Sequence, residues 1–369
     1  MTRSPWVLLA TVAGCCGLMF GEVGAATDSS SSYAKHNLGR GSSGQKEQHQ
    51  QQHGFDAEHT DSFDRRLQTR ACGEEIGLVT QAETKALAST LFTIFLEKAG
   101  AAGFIQNRLE YFTKSLRYDL VAYKVCGSCA ETQAFLPDQA LLQDESVFGS
   151  FSSYCASDKY GNSAQHSALV FVPVTVGTTS AASARSERAE IVEGSLRSFV
   201  SMHGTLVSVS RAPTQAWPIN LTEGLTLSLS GDFSDSKLLG QYYDYLAPLV
   251  AASSGAVSIL PDYIGYGSSS ETHNRTYAYP PTYMQAAVTT WMATKQAIEQ
   301  DTYGWSINDG TGCTVMDSVV SVAGNSEGGY AAIAAGPALQ QAGVRVLSIN
   351  AGATFLDPGE QLEFAIGMS

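Results

Sequence analysis

The segment SVAGNSEGGY, residues 321–330, contains Gly324-Asn325-Ser326-Glu327-Gly328, a serine with a glycine two positions away on either side. A serine in this setting can attack a carbonyl carbon. Small residues at those positions let the chain turn tightly enough to lift the hydroxyl above a sheet. If a helix starts there, its first backbone N–H groups favour the negative charge that develops on the attacked oxygen. The N–H of Glu327 is then one candidate oxyanion donor. The pattern alone is weak in a chain with 35 glycines. A chance match and a serine that only caps a helix are the competing readings.

Two further stretches carry possible chemistry. His203-Gly204-Thr205 follows the β-rich run RSFVSM. Gly204 admits a close approach by a carbonyl group, and the N–H of Gly204, Thr205 or Leu206 can supply a second oxyanion donor. A general base at His203 and a turn without catalytic role are the alternatives. Pro261-Asp262-Tyr263-Ile264-Gly265-Tyr266-Gly267 follows the apolar AVSIL. It reads as a scaffold turn, with Asp262 accepting backbone N–H groups and the glycines taking unusual dihedrals.

The elements that must position these residues alternate. Helical spacing covers 83–102, 237–252, 283–300 and 328–339. Strand patterns cover 118–125, 168–174, 197–202, 256–260, 318–323 and 345–350, with a loop-rich insertion at 130–160. This alternation predicts an α/β fold, a mainly parallel sheet with helices on both faces. In such sheets ligands gather beyond the carboxyl ends of the strands. All three chemical stretches fall at such ends.

The flanking sequence and the composition bound the setting. Residues 1–25 have the layout of a secretory signal, with Arg3 ahead of the apolar run Trp6–Phe20 and the small residues Val23-Gly24-Ala25 after it. That run is short for a bilayer span, and no later segment is long and apolar enough for a stable one. Residues 26–70 are rich in Ser, Gln, Gly and His and read as disordered; His36, His49, His53 and His59 lack the spacing of a metal site. The folded part is expected from residue 71 to 369. A net charge of −13 argues against nucleic acid or an anionic membrane as partner. Five cysteines remain beyond the leader: Cys72, Cys126, Cys129, Cys155 and Cys313. In an oxidising compartment most are expected to pair, Cys126-Gly-Ser-Cys129 included, since no further zinc ligands lie near. Asn220 and Asn274 head glycosylation sequons, in keeping with a secreted or lumenal protein. No metal or cofactor is expected.

HGT, PDYIGYG and GNSEGG, each after a strand, together resemble the α/β-hydrolase superfamily. The pattern is most similar to its secreted lipase and esterase family, and YDLVAYKV, SALVFVPV and VLSINAGATFLDP also sound like that family. The resemblance covers 118–358 and implies cleavage of a carboxylic ester, often of a lipid, through an acyl-serine on Ser326. It implies oxyanion donors at Glu327, Gly204 and Thr205, and elbow glycines at Gly324 and Gly328. A prolyl-oligopeptidase-like peptidase shares the elbow, but the repeated strands of a propeller are not evident. The family order continues with an acid and then a histidine. No histidine follows Ser326, and the 43 residues of 327–369 leave room for little more than one helix and one strand. Asp357, Glu360 and Glu363 are available carboxylates, with Asp357 too early in the element order. The expectation is an N-terminal portion of a hydrolase lacking its last strands, inactive by itself; a non-catalytic binding relative is the second reading.

Overall fold

The computed structural model describes residues 70–98, 113–128, 164–175, 190–192, 194–206, 208–219, 236–300, 302–303, 305, 314–352 and 354. The leader, the segment 26–69, the insertion 130–160, Cys129, Cys155, Cys313, Asn220, Asp357, Glu360 and Glu363 lie outside the described residues. Among those described, eight strands form one sheet. In chain order the elements are β1 (Glu75–Val79), α1 (Gln81–Lys98), β2 (Asp119–Ser128), β3 (Gln165–Thr175), β4 (Glu190–Ile191), β5 (Gly194–Met202), α2 (Pro213–Ala216), α3 (Ser236–Ser253), β6 (Ala256–Pro261), α4 (Pro280–Gln300), β7 (Thr314–Asn325), α5 (Glu327–Gln341) and β8 (Arg345–Gly352). The spatial order is β1-β2-β3-β6-β5-β7-β8, with β4 paired to β3. The run β6-β5-β7-β8 is parallel, and β1, β2 and β3 join it through antiparallel pairs.

Each expected strand and helix is present, mostly longer than its apolar stretch. β7, for example, starts at Thr314 and not at 318, because backbone pairing continues through polar residues once the register is set. The short strand β1 was not expected. Its EIGLV pattern is brief and interrupted by Gly77.

The central strands read as continuous apolar runs because both of their faces are covered. On β3, Ala168, Val170, Val172 and Val174 face one way, into a core shared with Tyr283, Val288 and Trp291 of α4 and Ala331, Ala335 and Leu339 of α5. Leu169 and Phe171 face the other way, with Leu87 of α1 and Leu249 and Val250 of α3. Helices α3 and α4 leave the sheet on opposite faces for a topological reason. The chain moves from β5 to β6 in one direction and then crosses back over β5 to β7. Right-handed crossovers in opposite directions must lie on opposite faces. The crevice between β5 and β7 is therefore the switch point of the sheet, where ligands bind in open α/β folds.

One device braces the antiparallel half and a second ties it to the parallel half. A disulfide joins Cys72, ahead of β1, to Cys126 on β2, so Cys126 is bonded across the sheet edge and not within Cys126-Gly-Ser-Cys129. The second device is Asp262, buried at the end of β6. Its carboxylate accepts the hydroxyls of Ser167 and Thr214, each at 2.5 Å, and the Thr214 N–H at 3.2 Å. Asp262 is thus a scaffold residue, as expected, but its partners come from β3 and α2 and not from its own turn.

Burial pushes the Asp262 carboxyl up from its ordinary 3.8 to about 6, against the pull of those hydrogen bonds. The unfolded chain releases this proton near 3.8 and the folded chain near 6, so between these values the folded state holds more protons. Its contribution to stability then falls as pH rises through that window. Asp262→Ala leaves three donors without their acceptor and should destabilise the fold by about 3 kcal/mol at pH 4. The gap to wild type should narrow by pH 7. Urea unfolding at pH 4, 5, 6 and 7 measures both; a gap that widens with pH would contradict the assignment.

Candidate active site

β7 ends at Asn325 and α5 begins at Glu327, leaving the single residue Ser326 to make the turn. It does so at φ 57°, ψ −125°, a left-handed conformation that costs a non-glycine residue about 1–3 kcal/mol. The neighbouring glycines show why it is held there. A Cβ on Gly324 would fall on the carbonyl of Gly328, and one on Gly328 would fall on the Met202 carbonyl and lie 2.7 Å from that of His203. The elbow is clamped by hydrogen bonds as well. The Ser326 N–H donates to Gly352 O at 2.9 Å, and the Ser326 carbonyl accepts from Gly329 N at 3.0 Å. The side chain is exposed and makes no capping hydrogen bond to the helix behind it. A serine present only to cap α5 would make that bond.

The HGT loop lies beside this turn because β5 and β7 are parallel neighbours, with Met202 opposite Gly324. Space at Gly204 is bounded by Asn325 O and Asp244 Oδ1, 3.6 and 3.7 Å from where a Cβ would sit. One expectation is corrected here and one alternative is removed. The Gly204 N–H does not face the elbow unengaged: it donates to Asp244 Oδ1 at 3.1 Å, which leaves Thr205, exposed at the tip, as the donor candidate of the pair. His203 is buried, stacked on Tyr263 at 3.8 Å between ring centroids, and its Nδ1–H donates to Gly204 O at 2.7 Å. Burial pushes its pKa down to about 4, so the ring is neutral at physiological pH. It supports the loop from beneath and is shut away from the exposed Ser326, which removes the general-base reading.

Glu327 contributes more than its N–H. Its buried carboxylate accepts the Tyr283 hydroxyl at 2.6 Å and a hydrogen bond from the Thr205 side chain, tying the elbow to α4 and to the HGT loop. Burial raises its pKa, and the two hydroxyl partners oppose the rise. Asp244 on α3 is the second carboxyl here. Burial pushes it up to about 7, the Gly204 N–H opposes this, and the nearby Glu327 charge adds to it. Asp244 and Tyr283 were not among the expected site residues. One signal existed: Asp244 is the sole acid in the helix SKLLGQYYDYLAPLVAAS.

The arrangement therefore presents an exposed hydroxyl at a strained turn, at the N-terminus of a helix whose first N–H groups have no intrahelical acceptor. The Glu327 N–H is one of these. Asp262 is occupied with its scaffold partners and lies away from this turn, at the end of β6. Among the described residues no group of three His, Cys, Asp or Glu side chains could hold a metal ion, and no helix is long and apolar enough to cross a membrane. Asn274 is described and exposed.

No protein-family model matches the sequence, and comparison with curated proteins gives no match either. Solved structures similar to this chain include a putative hydrolase from Legionella pneumophila, at 16% identity and TM-score 0.39, covering 74% of this chain and 48% of that one. The rice cell wall degrading esterase LipA from Xanthomonas oryzae is similar at 13% identity and TM-score 0.34, covering 73% and 46%. Candida antarctica lipase A in its closed state is similar at 9% identity and TM-score 0.30, covering 64% and 38%. The chain thus spans about half the length of the first two structures.

The elbow sterics carry a direct test. Gly328→Ala forces a methyl group against two backbone carbonyls that cannot rotate away, and should cost about 2 kcal/mol or more. Ala331→Gly, one turn further along α5, should cost about 1 kcal/mol, mainly from helix propensity. Thermal or urea unfolding of the two variants compares them; equal losses would count against a tight elbow.

Proposed function

We propose that this chain carries the nucleophile of a serine hydrolase that cleaves carboxylic esters, of the lipase or esterase type. The observation that carries the reading is the backbone of Ser326. A serine is held at positive φ between two glycines that leave no room for a side chain, with its hydroxyl exposed and unused by the helix it starts. A fold gains nothing from such strain unless the hydroxyl is put to use.

In this reading Ser326 Oγ attacks the ester carbonyl, and the oxygen that becomes negative is met by the Glu327 N–H and the Thr205 N–H. The acyl group stays on Ser326 until water removes it. The proton must pass to a histidine. His203 is buried and no histidine follows Ser326 in this sequence, so the proposal assigns neither the base nor the acid. Without them a serine site keeps only the effects of its oxyanion donors and of binding. The reading also takes residues 1–25 as a cleaved secretory signal and places the protein outside the cell or in the secretory pathway. The Cys72–Cys126 disulfide supports an oxidising compartment. Asn220 and Asn274 are then glycosylation sites. No step calls for a cofactor.

A fluorophosphonate probe should label the product of the complete gene at Ser326. Ser326→Ala should abolish labelling and lower hydrolysis of p-nitrophenyl esters by at least about 10³-fold. The 369-residue chain alone should label weakly if at all. A well-folded product of the complete gene that neither labels nor hydrolyses esters would defeat the proposal and favour a binding protein.

A further inference from the structure

The peptide unit between His203 and Gly204 is held at both ends. Its carbonyl, His203 O, accepts the Tyr263 hydroxyl at 2.7 Å, and its N–H donates to Asp244 Oδ1 at 3.1 Å. The next peptide is held through its carbonyl, Gly204 O, by His203 Nδ1–H at 2.7 Å. A trans peptide points its N–H away from its carbonyl. With Gly204 O turned to the buried imidazole, the Thr205 N–H is directed away from the interior, on the side where Thr205 is exposed. The Thr205 side chain is in turn bonded to Glu327, the residue that follows Ser326.

Asp244 reaches this peptide because of where α3 lies. Ala247 and Ala251, three and seven residues on and so on the same helix face, pack against Phe199 of β5 and Ala323 of β7. Asp244 continues that stripe toward the ends of the two strands, where the HGT loop begins. The carboxyl is desolvated, on a helix with no other acid, a costly placement that its hydrogen bond from the Gly204 N–H explains.

We propose that Asp244 is a positioning residue of the oxyanion site. By accepting the Gly204 N–H it fixes the plane of that peptide and leaves the Thr205 N–H as the loop's donor to the substrate oxygen. This rests on the serine-hydrolase reading above. The role needs an acceptor oxygen and no charge, which agrees with a carboxyl whose proton affinity burial has raised. A carboxamide can therefore fill it.

The test uses the product of the complete gene and p-nitrophenyl ester kinetics. Asp244→Ala should lower kcat by about 10- to 100-fold with KM within about threefold, the loss expected when a donor is displaced by an ångström or so. Asp244→Asn should recover kcat to within about threefold of wild type, since its carboxamide oxygen accepts the same N–H. Thr205→Pro removes the proposed donor while leaving Asp244 in place, and should reproduce the Asp244→Ala loss even where Asp244→Ala does not fold. The proposal is overturned if Asp244→Ala folds and keeps wild-type kcat, if Asn does no better than Ala, or if Thr205→Pro retains full kcat. Wild-type protein without Ser326-dependent hydrolysis would instead overturn the serine-hydrolase reading, and this proposal with it.

Discussion

The first turn of α5 approaches the end of β5 so closely that no Cβ fits at residue 324 or 328. The rest of the site follows from that contact. The Met202 and His203 carbonyls occupy the space that a side chain on Gly328 would need, and the Gly328 carbonyl fills the space at Gly324. A chain leaving β7 and entering a helix under these limits has one residue in which to reverse its course. That residue takes φ 57° and must carry its side chain outward. The strain of about 1–3 kcal/mol is small against the packing on either side, where β7 and α5 bury Val320, Val322, Ala331, Ala335 and Leu339.

The same contact explains why loop and elbow meet. β5 sends its chain toward β6 on the α3 face, and β7 sends its chain toward β8 on the α5 face. Between them, at the carboxyl ends of the strands, the outgoing connections diverge and leave a crevice. The HGT loop and the elbow both emerge at that crevice, and the parallel register of Met202 with Gly324 sets them level. What differs between the two is the means of support. The elbow is held by backbone sterics, whereas the loop is held by side chains from three elements: Asp244 of α3, Tyr263 just after β6, and Glu327 of α5.

Those side chains make the site costly to bury. Asp244 and Glu327 are neighbouring carboxyls in a poorly solvated region, and each raises its proton affinity in response. Asp262 does the same beneath the PDY turn, where three hydrogen bonds offset only part of the desolvation. A loop of short, glycine-containing sequence has little apolar surface with which to hold one conformation. Directed hydrogen bonds from rigid helices and strands supply the restraint instead.

Much of the architecture was legible from residues alone. Strands covered on both faces must be apolar at nearly every position, which is how β3 and β6 stand out, and helices packed on a sheet must repeat their apolar residues every three or four. The elbow was legible as a pattern, a serine between two glycines after an apolar strand, although the collisions that exclude a side chain at Gly328 come from the Met202 and His203 carbonyls of β5. Other features were not local. The pairing of Cys126 with Cys72 depends on β1 docking against β2. The buried state of His203 depends on Tyr263 arriving from the next strand, and the capture of the Gly204 N–H depends on α3 lying over the ends of β5 and β7. By itself the sequence determined the elements, their order and the serine at the turn, because periodicity and turn composition act between near neighbours. Only the tertiary structure decided which N–H groups face the site, because a peptide plane is set by partners that the chain brings back from 40 and 60 residues away.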